Sequence, residues 1–295
     1  MKKTIFTGAG VALVTPFRED GQVNYDVLGK LVDFQLANGT DAIIACGTTG
    51  EASTLTDEEQ VGVIRFVVDR VAGRIPVLAG AGSNDTEHGI ELCRSCMNAG
   101  ADALLLVTPY YNKTSQKGLI EHYTAMANSV DIPILLYNVP SRTGLNITAK
   151  TTYALSKVEN IVGTKEASGN FTQIAEIAQL CGEDFAIYSG NDDQIVPILS
   201  LGGKGVISVL ANVAPRNTHE MVAKFHAGDT IAARKLQLDA IPLIAALFSD
   251  VNPIPVKAAA NMMGLNVGGY RRPLTTMEDA GLQALEKEMR AYGLL

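Results

Sequence analysis

The 295-residue chain has no Trp, four Cys, four His and only 19% charged residues. Four Cys (Cys46, Cys93, Cys96, Cys181) in a chain of this length do not form a disulfide framework. Cys93 and Cys96 make a CxxC pair, but Ile90 and Met97 around them set a helical pattern, and a redox pair wants a helix N-terminus. Packed thiols in a reducing cytosol are expected instead. Basic residues are scarce too: 24 Lys and Arg stand against 31 Asp and Glu, a formal charge of -7, which leaves no basic face for nucleic acid. Apolar runs such as Ala240–Phe248 reach about half of the roughly 20 residues a membrane-spanning helix needs. Lys2 and Lys3 precede Gly8–Phe17, which is too short, and broken too early by Pro16, for a secretion signal. A cytoplasmic location is expected.

Metal ligands are also few. His88, His122, His219 and His226 fall on helical patterns, with His122 and His226 expected on helix surfaces, and no HxH or HExxH occurs. Asp192 and Asp193 stand where they would cap a helix rather than hold an ion. No metal is expected.

Hydrophobic residues, at 47%, are plentiful, and so are glycines, at 28. A large core with many tight turns follows. Short apolar runs recur along the chain: Gly10–Val14, Ala42–Ala45, Pro76–Ala79, Ala103–Val107, Pro133–Tyr137, Ile161–Thr164, Phe185–Tyr188 and Gly205–Val209. Few alternate with polar residues, so they read as parallel strands buried on both faces. Helical patterns lie between them. Asn24 opens one, and Thr56-Asp57-Glu58-Glu59 is a capping box that starts another, stopped by Gly73. Eight strands with helices between them predict an α/β fold, a (β/α)8 TIM barrel over residues 1–224. An open doubly wound sheet is the alternative, disfavoured because no GxGxxG follows the first strand. Residues 225–295 carry no strand signal and read as a C-terminal three-helix extension, Asp229–Leu247, Pro255–Met263 and Thr276–Tyr292, with Pro242 at a kink or boundary.

Barrel sites form at the C-terminal ends of the strands. Lys165 closes the sixth run. There a low-dielectric wall disfavours an ammonium, and a neutral amine can attack a carbonyl to form a Schiff base. The plainer reading is a lysine reaching solvent or pairing with Glu166. Tyr137 ends the neighbouring run, and its phenol is suited to proton transfer, or simply to filling the barrel top. Gly47-Thr48-Thr49-Gly50 can wrap a small anion with N–H and hydroxyl donors, and Arg142 is a natural bidentate partner for a carboxylate. Gly202-Gly203-Lys204-Gly205 precedes the eighth run and so lies on the wrong face for a phosphate site.

Three motifs, in order, complete the pattern: Gly47-Thr48-Thr49-Gly50-Glu51, Tyr137-Asn138-Val139-Pro140-Ser141-Arg142-Thr143-Gly144 and Gly163-Thr164-Lys165-Glu166-Ala167-Ser168-Gly169. Together they resemble the dihydrodipicolinate synthase family of pyruvate-dependent class I aldolases, along essentially the whole chain. The first motif and the Tyr-to-Lys spacing are common to that superfamily. Arg142, the double threonine and Pro109-Tyr110-Tyr111-Asn112 single out this member. The resemblance implies that pyruvate condenses with aspartate semialdehyde to give 4-hydroxy-tetrahydrodipicolinate, the precursor of diaminopimelate and lysine. It implies no cofactor beyond a covalent imine between Lys165 and pyruvate. Tyr137 would be the general acid/base, completed by Thr48 and by Tyr111 from a neighbouring subunit. Thr49, Gly190 and the Ile207 backbone would hold pyruvate, and Arg142 the second substrate's carboxylate. A homotetramer built from tight dimers is implied.

A lysine inhibitor site would fall on Ala52, Ser53, Asp57, Gln60, Asn84, His88 and Tyr110. The enteric-type pattern has His at positions 57 and 60 and Glu at 88, so a carboxylate partner for the lysine ammonium is missing here. Weak or absent inhibition is expected. The rival readings are another pyruvate aldolase, such as N-acetylneuraminate lyase or a keto-deoxy-sugar acid aldolase, a silent sensor barrel, and a phosphate-binding isomerase barrel. Arg142 argues against the first, the joint presence of Lys165 and Tyr137 against the second, and the missing glycine-rich turns after the seventh and eighth strands against the third.

Overall fold

The computed structural model describes Lys2 and residues 4–295; Lys3, half of the N-terminal basic pair, lies outside the described residues. Eight parallel strands pair in sequence order, and the eighth returns to the first, closing a barrel. They are β1 (Gly8–Ala12), β2 (Ala42–Ala45), β3 (Val77–Gly80), β4 (Ala103–Val107), β5 (Ile134–Asn138), β6 (Ile161–Glu166), β7 (Ala186–Ser189) and β8 (Gly205–Ser208). Closure excludes the open doubly wound sheet.

The apolar runs locate every strand, but the ends differ by a residue or two. Val14 leaves the ladder because its N–H donates to Asn212 Oδ1 at 3.1 Å. Asn138 and Glu166 prolong β5 and β6 although they are polar, since the ladder continues through them. Their side chains find partners of their own, described below.

Helices cover the barrel. Asn24 Oδ1 accepts from Val27 N, and both bonds of the Thr56–Glu59 capping box form. Cys93 and Cys96 are buried in helix Thr86–Asn98, and burial pushes both thiols up to about 12, so neither is a thiolate near neutral pH. His122 is not a surface residue. It is 6% exposed, its Nδ1 bonds Thr86 Oγ1 at 2.9 Å, and burial lowers its pKa. Its helix presents Leu119, His122, Tyr123 and Met126 to the core, so a four-residue spacing carried the histidine inward with them.

The last barrel helix is Pro215–His226, so the expected division at residue 224 falls within its final turn. Beyond it lie helices Thr230–Leu247, Ile254–Met262 and Asp279–Tyr292. Pro242 sits inside the first of these rather than at its boundary. These helices have no core of their own. Ile244, Leu247, Val256, Leu285 and Met289 join the buried layer between the barrel and its helices. Each such side chain stabilises the fold by roughly 1.5–3 kcal/mol.

Inside the barrel, Ile44, Leu78, Leu105, Leu135, Val162 and Ile207 form a second buried cluster. Phe6 stacks on Tyr188 with ring centroids 4.4 Å apart, and Tyr188 Oη donates to Phe6 O at 2.6 Å. Phe6 precedes β1, so this pair closes the N-terminal end and leaves the opposite end for chemistry.

Candidate active site

Lys165 reaches the barrel interior through an irregularity in β6. Ile161 faces the outer layer and Val162 the interior. Strict alternation would then send residue 165 outward. The register with β5 shifts at this point: Ile134 pairs with Ile161, but Leu135 pairs with Gly163 and Tyr137 with Lys165. Because Leu135 and Tyr137 face inward, the shift turns Lys165 inward as well. Gly163 is required at this point, since a Cβ there would lie 2.3 Å from Ala186 O. Lys165 and Tyr137 are 5% and 7% exposed, and Lys165 Nζ lies 4.3 Å from the centre of the Tyr137 ring.

The next pair in register, Asn138 and Glu166, faces away from the interior. Asn138 Nδ2 donates to the Glu166 carboxylate and to Asn146 Oδ1, and its Oδ1 accepts from Ile147 N at 2.9 Å. Glu166 also accepts from Ser168 N at 2.8 Å. Burial raises the Glu166 pKa, while the bonds from Ser168, Asn138 and Gln173 pull it down. Asn138, braced by Glu166, ties the end of the segment after β5 back to its start, enclosing the short helix Pro140–Thr143 that carries Arg142. Arg142 itself is exposed at the mouth.

The loop after β2 holds Thr48, half-buried, and Thr49, 2% exposed. Glu51 ends it in the left-handed region, φ +56°, a conformation that costs a non-glycine residue about 1–3 kcal/mol. What holds it there comes from the far end of the chain. Lys257, fully buried, donates to Glu51 Oε1 at 2.7 Å and to Thr15 O at 3.0 Å, with the rings of Phe17 and Tyr270 at 4.4 and 5.3 Å. Arg271 N donates to the second Glu51 oxygen at 3.2 Å, and its guanidinium pairs with Glu59. Asn252 Nδ2 donates to Thr49 Oγ1 at 3.0 Å. Neither Asn252 nor Lys257 belongs to a sequence motif; the one local signal is a lysine amid Ile254-Pro255-Val256 and Ala258-Ala259-Ala260.

Gly190 follows β7 against the lysine stem. A Cβ there would lie 3.1 Å from Lys165 Cε and 2.7 Å from Ala167 Cβ. Asp192 does not cap its own helix. Its Oδ2 crosses to β8 and accepts from Val209 N and Leu210 N at 3.0 and 2.8 Å, fixing the chain just past Ile207. Burial raises its pKa, opposed by those bonds and by the charge of Lys165. Among the described residues no group of three His, Cys, Asp or Glu is placed to hold a metal.

The sequence pattern of the dihydrodipicolinate synthetase family matches residues 5–292. The chain belongs to that family. A 4-hydroxy-tetrahydrodipicolinate synthase from Lachnoclostridium phytofermentans is 60% identical over 292 residues, 99% of each chain. Two solved dihydrodipicolinate synthases superpose with a TM-score of 0.97. The enzyme from Cyanidioschyzon merolae with lysine bound is 44% identical and covers 99% of this chain and 100% of its own. The chloride-inhibited enzyme from Acinetobacter baumannii complexed with pyruvate is 42% identical, with the same coverage.

Two features of this dihydrodipicolinate synthetase family member lie outside the barrel mouth. Tyr111 has φ +65° and is 93% exposed, turned out from its own barrel. Of the seven positions considered for a lysine inhibitor, several already have partners. His88 Nε2 lies 2.9 Å from Asp57 Oδ2, while its Nδ1 meets Ser83 Oγ at 3.0 Å. Gln60 is buried and donates to Gly80 O at 2.6 Å. Asn84 donates to Tyr110 O at 3.1 Å. Ala52 is half-buried and Ser53 exposed in the short turn before Thr56.

Proposed function

We propose that this chain condenses pyruvate with aspartate semialdehyde to 4-hydroxy-tetrahydrodipicolinate through an imine on Lys165. The observation that carries this is a lysine turned into a closed barrel beside a tyrosine, both at the mouth end of adjacent strands. Lys165 attacks the pyruvate carbonyl, and water leaves as the imine forms. The imine then acts as an electron sink, so the methyl group loses a proton and becomes an enamine carbon. That carbon attacks the aldehyde. The amine of the second substrate next adds to the imine carbon, the ring closes, and Lys165 departs as a free amine. One water is released overall, and no cofactor is needed beyond the imine between Lys165 and the substrate pyruvate.

In this reading Tyr137 moves the protons. Thr48 and the Tyr111 hydroxyl of a second copy complete the relay, which fits a ring this exposed on its own subunit. Thr49 and the backbones of Gly190 and Ile207 hold pyruvate, and Arg142 takes the second substrate's carboxylate. The active form is a homotetramer of tight dimers in the cytoplasm. Residues 225–295 serve the barrel as a buttress. Lysine inhibits weakly or not at all, because the Asp57 carboxylate is engaged by His88 and Gln60 is turned into the core.

Borohydride reduction with pyruvate, followed by peptide mass mapping, tests the chemistry. A reduced pyruvate adduct on Lys165 is expected, with turnover when aspartate semialdehyde is added. A folded protein that binds pyruvate without forming the adduct would overturn the reading. Turnover only with a sugar aldehyde would reassign the second substrate.

A further inference from the structure

Thr49 has a built-in direction. Asn252 Nδ2 donates to Thr49 Oγ1 at 3.0 Å, and both residues are buried, 6% and 2% exposed. A hydroxyl has one proton to give and two lone pairs to offer. The amide N–H occupies a lone pair and polarises the O–H outward. Among the described residues, no protein acceptor takes the Thr49 proton. The hydroxyl is therefore set to donate to whatever lies in front of it.

The donor is fixed from elsewhere. Asn252 lies just before helix Ile254–Met262, where Ile254 N donates to Val251 O at 2.8 Å and Lys257 N to Pro253 O at 3.0 Å. Lys257, one turn further on, is tied to Glu51 and Thr15. The backbone that carries the amide is thus held independently of Thr49. Its other atom, Oδ1, is buried without a partner in the protein. A side chain present only to fill space would not keep a buried amide with half its capacity unused.

We infer that Asn252 is a positioning residue that holds Thr49 as a hydrogen-bond donor to the carboxylate of pyruvate. This rests on the placement of pyruvate against Thr49 proposed above. It gives the C-terminal extension a part in binding the first substrate as well as in stability. A carboxylate in place of the amide would reverse the direction: it would accept the Thr49 proton and repel the substrate's charge.

The test uses the full-length protein with Asn252→Asp, Asn252→Ala, Thr49→Val and the Asn252→Ala/Thr49→Val double variant. The readouts are the pyruvate concentration that half-saturates borohydride trapping on Lys165, the KM of each substrate, and Tm. Asn252→Asp is expected to raise the pyruvate half-saturation by about tenfold or more, with the KM for aspartate semialdehyde unchanged. The double variant is expected to be no worse than Thr49→Val alone, because Asn252 acts through that hydroxyl. Parent-like pyruvate saturation in Asn252→Asp overturns the inference. So do parallel rises in both KM values, or additive effects in the double variant, which mark a merely structural residue. If Asn252→Asp does not fold, Asn252→Ala and the cycle decide. Absence of any pyruvate adduct in the parent protein refutes the broader reading first, before any variant is compared.

Discussion

Replacing Lys257 by Met tests how the extension holds the Thr48–Thr49 loop. The ammonium is fully buried, with Glu51 Oε1 at 2.7 Å, Thr15 O at 3.0 Å and two aromatic rings around it. Burial lowers the pKa of Lys257 by more than Glu51 raises it, so lost hydration outweighs the pair's mutual attraction. Methionine fits the space but leaves the Glu51 carboxylate, 1% exposed, with only the Arg271 N–H. Removing one partner of such a pair costs about 3–5 kcal/mol, a large part of the roughly 5–15 kcal/mol that holds a typical protein folded. Glu51 also loses its grip in the left-handed region, so Thr48 and Thr49 loosen, and activity should fall at temperatures where the variant is still folded.

Urea denaturation followed at two wavelengths, beside kcat/KM at each temperature, measures both effects. Glu51→Gln/Lys257→Met supplies the control. With both charges gone, no buried ion is stranded, and most of the lost stability should return. A coupling energy of about 2 kcal/mol or more between the two positions is expected. The reasoning fails if Lys257→Met lies within about 1 kcal/mol of the parent, or if the double variant is as unstable as the sum of the single ones.

Four further outcomes are expected. Gly190→Ala pushes a methyl against Lys165 Cε and Ala167 Cβ and should slow trapping of pyruvate about tenfold or more at temperatures where the variant is still folded, with a lowered Tm; parent-like trapping would remove Gly190 from the site. Asn138→Ala frees the segment that carries Arg142 and should raise the KM for aspartate semialdehyde more than that for pyruvate, which steady-state kinetics on each substrate would show. Arg271 hydrogen bonds hold the Glu59 carboxyl down at about 2 against an ordinary 4.5, so this pair's contribution to stability is intact above pH 4.5 and lost as pH falls toward 2. Arg271→Met should therefore flatten the urea midpoint across that window, and an unchanged acid profile would refute the assignment. Lysine titrated into the assay should leave activity largely intact, whereas half-inhibition at submillimolar lysine would show that the Asp57–His88 pair opens.

The barrel was legible because parallel strands buried on both faces are continuous apolar runs, and all eight were found within a residue or two. Lys165 was legible as a candidate for a related reason: a cation at the end of such a run has few places to go. The direction in which it points was not. Ile161 faces outward, and simple alternation from there would send Lys165 outward too. Only the shifted register opposite Ile134 and Leu135 turns it in, and that depends on Gly163 fitting against Ala186 O. His122 was misplaced on the surface because its polarity outweighed its helical position beside Leu119, Tyr123 and Met126. Asp192 was expected to cap the helix it begins, yet it caps the turn after β8, a partner 17 residues on.

The residues that set the geometry of the Thr48–Thr49 loop were the least legible, because their partners lie about two hundred positions away. Asn252 meets Thr49 across a separation of 203 residues, and Lys257 meets Glu51 across 206. Local pattern carries no trace of such pairs. It shows only a lysine and an asparagine that look out of place among Pro and Ala. Their arrangement also explains why a barrel that is already closed carries three more helices. The strands fix Lys165 and Tyr137 by register, to within the tolerance of a hydrogen-bonded ladder. The loop after β2 has no ladder, and it contains a non-glycine residue in the left-handed region. Such a loop keeps one conformation only if other contacts over-determine it. Lys257, Arg271 and Asn252 supply three such contacts from the extension, each to a different atom of Thr49 or Glu51. Removing the extension should therefore cost the ordered Thr48–Thr49 loop even where the barrel strands still pair.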